Sequence, residues 1–366
     1  MASSFDDIEV HRPDLARGYL SLLRGQPARP LALFAPRRVG KTFFLNEDLA
    51  PTARRAGFLP VYADLWLHRA APLLAVNHAL EEALDDALVP KSAVRRAART
   101  PVNKVGAFGA SLELGEVPKR RGLPADAGPR LDALTTRLAA AAGKPLLLML
   151  DEIQALGDAP GGGDAIAALR AVLQKRKREV YGVFTGSSQE TLAAMITASG
   201  GPMYQFAQLI DFPLLGDELL EPLAARYAQV HRGRKLDMDK LRAAFDRVGR
   251  KPALMKDLVK SMSAEGEVEP DRALKAMLRD ERYLAGWRAQ MDALGPLERA
   301  LLRRIAAGEA PFAVATLQAL KKESVDVTPS KARTAVQRLK DAGLVRGSRE
   351  GYVLDDELLA DYLRGR

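Results

Sequence analysis

The stretch "LALFAPRRVGKTFFLNEDL", Leu31 to Leu49, decides the fold of this chain. An apolar run enters a short turn, and Gly40-Lys41-Thr42 opens a segment that reads as a helix. The spacing nearly matches the phosphate-binding loop G-x-x-x-x-G-K-[ST], with Ala35 in place of the first glycine. Such a loop works because backbone N–H groups converge on the phosphates and the next helix adds the positive end of its dipole. The candidate nucleotide-binding residues are therefore Pro36, Arg37, Arg38, Val39, Gly40, Lys41, Thr42 and Phe43. Lys41 is expected at the β- and γ-phosphates and the Thr42 hydroxyl in the shell of a Mg²⁺ ion. Pro36 offers no N–H, and Ala35 suits the turn if its φ stays negative.

A second element supports the first. The run "PLLLML", Pro145 to Leu150, ends in Asp151-Glu152. A carboxylate at the carboxyl end of a buried strand can share the Mg²⁺ shell, so Asp151 joins Thr42 as a metal candidate. Glu152 is the candidate to polarise a water for attack on the γ-phosphate, the competing reading being a helix N-terminal charge. A third element, "VFTGSSQ", puts Ser187 at the tip of the next strand as a γ-phosphate sensor, with Ser188 and Thr185 as alternatives. Strand-end serines are also ordinary helix caps.

Apolar runs ending in polar or glycine-rich turns recur through the first half. The expected strands are Pro30–Ala35, Phe58–Leu65, Pro145–Asp151, Val180–Gly186 and Ala207–Phe212. Continuous apolar runs suit a parallel sheet buried on both faces, hence a three-layer α/β domain. An irregular insert, about 101–130, reads as a glycine-rich hairpin over Asn103–Val117 followed by a basic exposed loop. From Gly216 the pattern turns to short amphipathic helices, and a further boundary falls near Gly295-Pro296. The expected domains are 1–215, a nucleotide domain; 216–290, a helical lid; and 291–366, a C-terminal domain.

Composition narrows the classes. The 366 residues are 47% apolar, enough for a sizeable core, and include no cysteine, which excludes disulfides and thiolate chemistry. The four histidines are scattered without ligand spacing, so no structural metal is expected. The start lacks a signal-peptide pattern and no apolar run approaches a bilayer span, so the expected location is cytoplasmic, without membrane contact. A net charge of +9 favours an acidic partner, nucleic acid first.

The second informative stretch is Thr328 to Leu354. Thr328-Pro329 reads as a helix cap with proline in the first turn. Ala332, Ala335, Val336 and Leu339 recur at helical spacing as one buried stripe, leaving Lys331, Arg333, Thr334, Gln337 and Arg338 opposite. Gly343 ends the helix, and a strand pair turning at Gly347-Ser348 carries Arg346 and Arg349. Six basic residues against the single acid Asp341 between Ser330 and Arg349 make these the candidate DNA contacts, helix in the groove and wing on the phosphates.

With "PRRVGKT", "LLLMLDEIQAL", "GVFTGSSQ", "GGPMYQFAQLIDFPLL" and this C-terminal end in order, the chain resembles AAA+-related P-loop ATPases. The neighbourhood is that of the archaeal-type and STAND ATPases and the origin-recognition group. The resemblance runs from about Asp14 to the C-terminus. It implies a P-loop three-layer αβα domain with sheet order 5-1-4-3-2, a small helical lid and a C-terminal winged helix. It implies ATP and Mg²⁺ as cofactors, ATP hydrolysis, DNA as a partner, homo-oligomers, and Pro252 beside the nucleotide in the lid turn "GRKP". In that turn Arg250 or Lys251 could act as a lid sensor, a surface charge being the other reading. There is a departure between Ser188 and the fifth strand, where relatives place an arginine finger: Tyr204 and Gln205 stand there, with no arginine. Turnover is therefore expected to be slow or partner-stimulated. Two functions compete: a DNA-binding ATPase that oligomerises, and a nucleotide-gated signalling switch whose winged helix contacts a protein partner.

Overall fold

The computed structural model describes residues 4–88, 122–186, 195–196, 203–348 and 351–365. Most of the expected insert, with the hairpin over Asn103–Val117, lies outside them, as do Ser187, Ser188 and Arg349.

Five parallel strands form one sheet: β1 (Leu31–Phe34), β2 (Leu59–Asp64), β3 (Leu146–Asp151), β4 (Val180–Gly186) and β5 (Gln208–Asp211). Their order is β2-β3-β4-β1-β5, the expected 5-1-4-3-2 read from the other edge. Each falls within a residue or two of the apolar run that announces it. β3 and β4 are buried along their whole length, and that is why they show no polar alternation.

Alternation reappears as a choice between two apolar faces. Ala32, Leu146, Leu148, Leu150 and Phe184 pack under the helices Pro72–Leu88, Ala127–Ala142 and Gly162–Lys175. Leu31, Leu33, Leu147, Met149 and Val183 face the helix Pro13–Gly25 and the phosphate-loop helix. The latter starts at Lys41–Phe43, widens to a π-turn over Phe44–Leu49 and ends as Ala50–Arg55. Among the described residues, no helix is long and apolar enough to cross a membrane.

After β5 come the helices Asp217–Val230, Met238–Arg247, Pro252–Glu265, Pro270–Met277 and Glu281–Asp292. Three more follow, Pro296–Ala306, Val314–Lys322 and Pro329–Asp341. An antiparallel hairpin, β6 (Val345–Ser348) with β7 (Gly351–Leu354), and a last helix Glu357–Leu363 close the chain. Thr328 caps its helix, its Oγ1 accepting from the Lys331 N–H at 3.2 Å, and Ala332, Ala335, Val336 and Leu339 form the buried stripe. One apolar cluster runs through both the lid helices and the C-terminal helices, from Leu215 to Ala360, and takes in Phe5 from the N-terminus. The two segments therefore share a core rather than meeting at a polar linker.

Candidate functional site

The carboxyl ends of β1 and β3 lie on either side of β4, and the turns leaving them face one cavity of about 640 Å³. On the phosphate-loop side it is lined by Arg37, Arg38, Gly40, Lys41, Thr42 and Phe43. Arg38 (φ 64°) and Gly40 (φ 94°) take left-handed backbone, while Ala35 is not among the residues with positive φ. The missing first glycine is thus absorbed without strain at Ala35, and the turn is made further along. Lys41 is buried, its ammonium donating to the carbonyls of Ala35 and Pro36, each at 2.7 Å. Pro36 therefore contributes an acceptor where it lacks a donor. Burial pushes the Lys41 pKa below the usual lysine range, opposed by the negative charges of Glu152 and Asp151.

Asp151 is 4% exposed, yet its carboxylate is fully engaged. Oδ2 accepts from the Thr42 hydroxyl at 2.6 Å and from the Tyr62 hydroxyl at 3.2 Å. Oδ1 accepts from the Thr185 hydroxyl and from the Glu152 N–H, the latter at 3.1 Å. Each oxygen of this buried carboxylate therefore has hydrogen-bond donors, as a buried polar group requires. Thr185 thus braces Asp151 from the neighbouring strand, which gives this alternative to Ser187 a role different from a phosphate sensor. Tyr62 escaped the sequence reading. Its signal was a hydroxyl among the apolar residues Leu59 to Ala63 of β2, a strand whose register with β3 places Asp64 beside Asp151. Burial, and then the charge of Asp151, raise the Tyr62 pKa, which keeps the phenol a donor. Replacing Tyr62 with Phe is expected to lower unfolding stability by about 1.5–3 kcal/mol, the range for a bond to a carboxylate. An unchanged urea midpoint would show that this bond contributes nothing.

Glu152 leaves β3 in the left-handed region (φ 58°) and lines the cavity, with its carboxylate accepting from the Gln154 side-chain amide. A non-glycine residue in that region is uncommon, and here it turns an acid towards the cavity rather than along a helix.

The opposite wall comes from the lid. Leu215, Leu219, Pro252, Ala253 and Lys256 line it, which puts Pro252 on the cavity wall opposite the phosphate loop. The third wall was not anticipated: Ile8, Glu9, Val10 and Arg12 from the N-terminal strap. The strap is tied down at several points. The Lys256 ammonium donates to the Asp6 carbonyl at 3.1 Å, Lys260 pairs with the Asp6 carboxylate at 2.5 Å, and His11 Nδ1 meets Asp48 Oδ1 at 3.0 Å. The alternating apolar Ile8 and Val10 were the available signal.

Neither candidate lid sensor lines the cavity. Arg250 pairs with Asp246 at 2.7 Å on the surface, and Lys251, 2% exposed, holds the Glu357 carboxylate and the Asp355 carbonyl. Arg250 is thus the surface charge of the other reading, whereas Lys251 fits neither reading: it is buried and joins the lid to the last helix. Tyr204 and Gln205 are exposed and bonded to each other at 3.1 Å.

The basic C-terminal stripe is only partly available. Lys331, Arg333, Thr334, Gln337 and Arg338 all lie on the exposed face of their helix. Lys331 pairs with Asp326, Arg338 with Glu298 at 3.1 Å, and Gln337 with Asp341 at 2.8 Å, while the Thr334 hydroxyl donates to the Ser330 carbonyl at 3.2 Å. Arg346 departs from the expectation. It turns to Asp355 (3.6 Å) and Glu357 (3.9 Å), the latter being the acid that holds Lys251, and so belongs to the junction with the lid rather than to an outward wing.

No family profile matches the chain, and no curated protein matches it by sequence. Solved structures do match. The Walker-type ATPase PABY2304 of Pyrococcus abyssi superposes with a TM-score of 0.61 at 18% identity, covering 99% of this chain and 97% of that one. The ORC2 protein of Aeropyrum pernix, in ADPNP and ADP complexes, gives 0.53 at 17% identity over 99% and 97%. The architecture is therefore the AAA+-type P-loop fold with an origin-recognition-like arrangement, the fold that the motifs imply.

Proposed function

We propose that this chain binds ATP with Mg²⁺, hydrolyses it slowly, and couples nucleotide state to DNA binding and self-assembly through its C-terminal unit. The observation that carries the reading is the 2.6 Å bond between Thr42 and Asp151, in a cavity that also receives Lys41 and Glu152. Two oxygen donors that far apart in sequence, brought to one point beside a phosphate loop, are the ligand set that Mg²⁺ prefers. Mg²⁺ held there would neutralise charge on the β- and γ-phosphates.

The chain's own residues supply the rest. Lys41 exchanges the carbonyls of Ala35 and Pro36 for phosphate oxygens, keeping its burial and gaining an opposite charge. The N–H groups from Val39 to Phe43 cradle the phosphates at the helix start. Glu152 orients a water in line with the γ-phosphate and takes its proton. The strap residues Ile8 and Val10 and the lid residues Leu215 and Leu219 give the base an apolar slot. No arginine is available between β4 and β5 in the described residues, so the chain lacks a stabilising charge there that adds about 10³–10⁵ to the rate in other systems.

We read residues 1–215, 216–290 and 291–366 as nucleotide domain, lid and winged helix, the last two sharing one core. The three helices and hairpin at the end have the element order of a winged helix. Lys331, Arg333 and Arg338 are its outward cations. Replacing all three with alanine is expected to weaken binding to a fluorescent duplex and to lower the salt slope by about 2–3. Unchanged affinity would overturn the DNA contact. The second reading, a nucleotide-gated switch read by a protein, is favoured by the internal pairing of Lys331, Arg338 and Arg346. Tight nucleotide binding with no duplex binding at physiological salt would select it.

A further inference from the structure

The nucleotide cavity lies at the carboxyl ends of the strands, and the amino ends carry a different surface. β3 and β4 enter the sheet from the turns after the helices Ala127–Ala142 and Gly162–Lys175, and Lys144 and Arg178 each stand two residues before their strand. Leu146 is level with Val180, and its N–H donates to the Glu179 carbonyl at 2.7 Å. The two cations therefore leave side by side, on backbones about 5 Å apart. Both line a groove of about 450 Å³. Lys144, Lys177 and Arg178 are exposed and make no ion pair among the described residues. Exposed cations continue to both sides, with Arg29 leading into β1 and Arg54 and Arg55 closing the helix before β2.

The acids nearest these turns are already engaged. Asp132 holds Lys175 at 2.8 Å and Arg176 at 3.2 Å, and Glu179, on the groove wall, holds Arg176 at 3.2 Å. Beyond β2 the sign changes, at Asp85 and Asp86 near the end of the helix Pro72–Leu88 that packs on that strand. The helix dipole explains cations in a last turn, as at Arg54, Arg55 and Lys175, and its effect falls off beyond that turn. Lys144, Lys177 and Arg178 lie past the helix ends and gain little from it. In the C-terminal unit, by contrast, Lys331, Arg338 and Arg346 each face an acid.

We propose that the amino edge of the sheet is a second nucleic-acid surface, on which Lys144, Lys177 and Arg178 hold the phosphates of a double helix without reading its bases. The partner follows from the chemistry. Residues 143–145 and 175–179 contain no large apolar side chain, whereas protein interfaces bury an apolar core. A partner held by charge alone is a polyanion, and a double helix offers one charge per about 1.7 Å of its axis. The four strands from β2 to β1 span about 14 Å, the rise of about four base pairs. The six residues of β3 put about 20 Å between this edge and Asp151, so a duplex here leaves the nucleotide cavity open. The surface is separate from the winged-helix contact proposed above and needs no bound nucleotide.

The test titrates fluorescent duplex DNA, and duplex RNA in a parallel arm, over a range of salt. It compares wild type with the triple variant Lys144→Ala, Lys177→Ala, Arg178→Ala. A charge-matched control carries Arg272→Ala, Lys275→Ala and Arg279→Ala, at exposed positions of the lid. The edge variant is expected to lower the slope of log affinity against log salt by about 2–3. At physiological salt it is expected to bind roughly 10–100-fold more weakly, equally for duplexes of different sequence. The control is expected to stay within about threefold of wild type. The thermal midpoint and nucleotide affinity of the edge variant are expected to match wild type, since its replaced side chains support neither. A loss on either duplex supports the surface and shows which double helix it takes. An edge variant that binds both duplexes as wild type does, or a control that loses as much, overturns the proposal, and the winged-helix contact is then judged by its own variant. If wild type binds no duplex, both contacts fall. If the edge variant keeps duplex binding but loses binding to phosphatidylcholine–phosphatidylserine vesicles, the surface belongs to a lipid and the proposal is overturned.

Discussion

Replacing Glu152 with glutamine will leave ATP affinity within about threefold of wild type and lower phosphate release by roughly 10²–10⁴-fold. The argument is geometric. Asp151, one residue earlier, is saturated by the Thr42, Tyr62 and Thr185 hydroxyls and the Glu152 N–H, so it is not a free base. Glu152 is turned by its left-handed backbone into the cavity, and its carboxylate is oriented by the Gln154 amide. Glutamine preserves shape and hydrogen bonding but cannot accept a proton from water. Radiolabelled phosphate release at saturating ATP, beside calorimetric binding, separates the two effects. Turnover within threefold of wild type would remove Glu152 from the reaction. Equal loss of binding and turnover would mark it as part of the binding wall instead.

What the sequence made legible was what repeats along the chain or sits in a short window. The five apolar runs gave the strands because β3 and β4 are buried end to end and leave no ambiguity of face. Lys41, Thr42 and Asp151 were legible because each stands at a fixed offset from a strand end. Ala35 looked like a defect only while the loop was considered alone. The turn places its positive φ at Arg38 and Gly40 and uses the carbonyls of Ala35 and Pro36.

Contacts that depend on how distant segments close together were not legible. Tyr62 reaches Asp151 across two strands 89 residues apart. Lys251 and Glu357 are 106 residues apart, and their pairing turns an expected lid sensor into a clasp. The same closure draws Arg346 inward, although its place in a basic run pointed outward. Periodicity reports which face of an element is buried, not which element covers it. The boundary near Gly295 was likewise a local signal, while the core crosses it.

Replacing Lys41 with alanine will have the largest effect on binding, raising the ATP dissociation constant by roughly 30- to 3,000-fold, as for truncating one partner of a buried charge pair. Lys41 is 5% exposed, so its ammonium meets phosphate in a low dielectric, where the attraction is least screened. The cost to the fold is smaller, because the ammonium's partners are two carbonyls of the loop rather than a buried acid. Removing it also relieves the desolvation that lowers its pKa. The two effects separate in a thermal denaturation series. Without nucleotide, wild type and variant are expected to melt within a few degrees of each other. With ATP at about 100 times the wild-type dissociation constant, wild type gains about 2.7 kcal/mol of linkage stabilisation. The variant, now near or below half saturation for all but the weakest expected loss, gains well under half of that. A variant that keeps the full ATP-induced shift would show that the phosphates are held without Lys41, and the loop from Pro36 to Phe43 would then cease to be the nucleotide site.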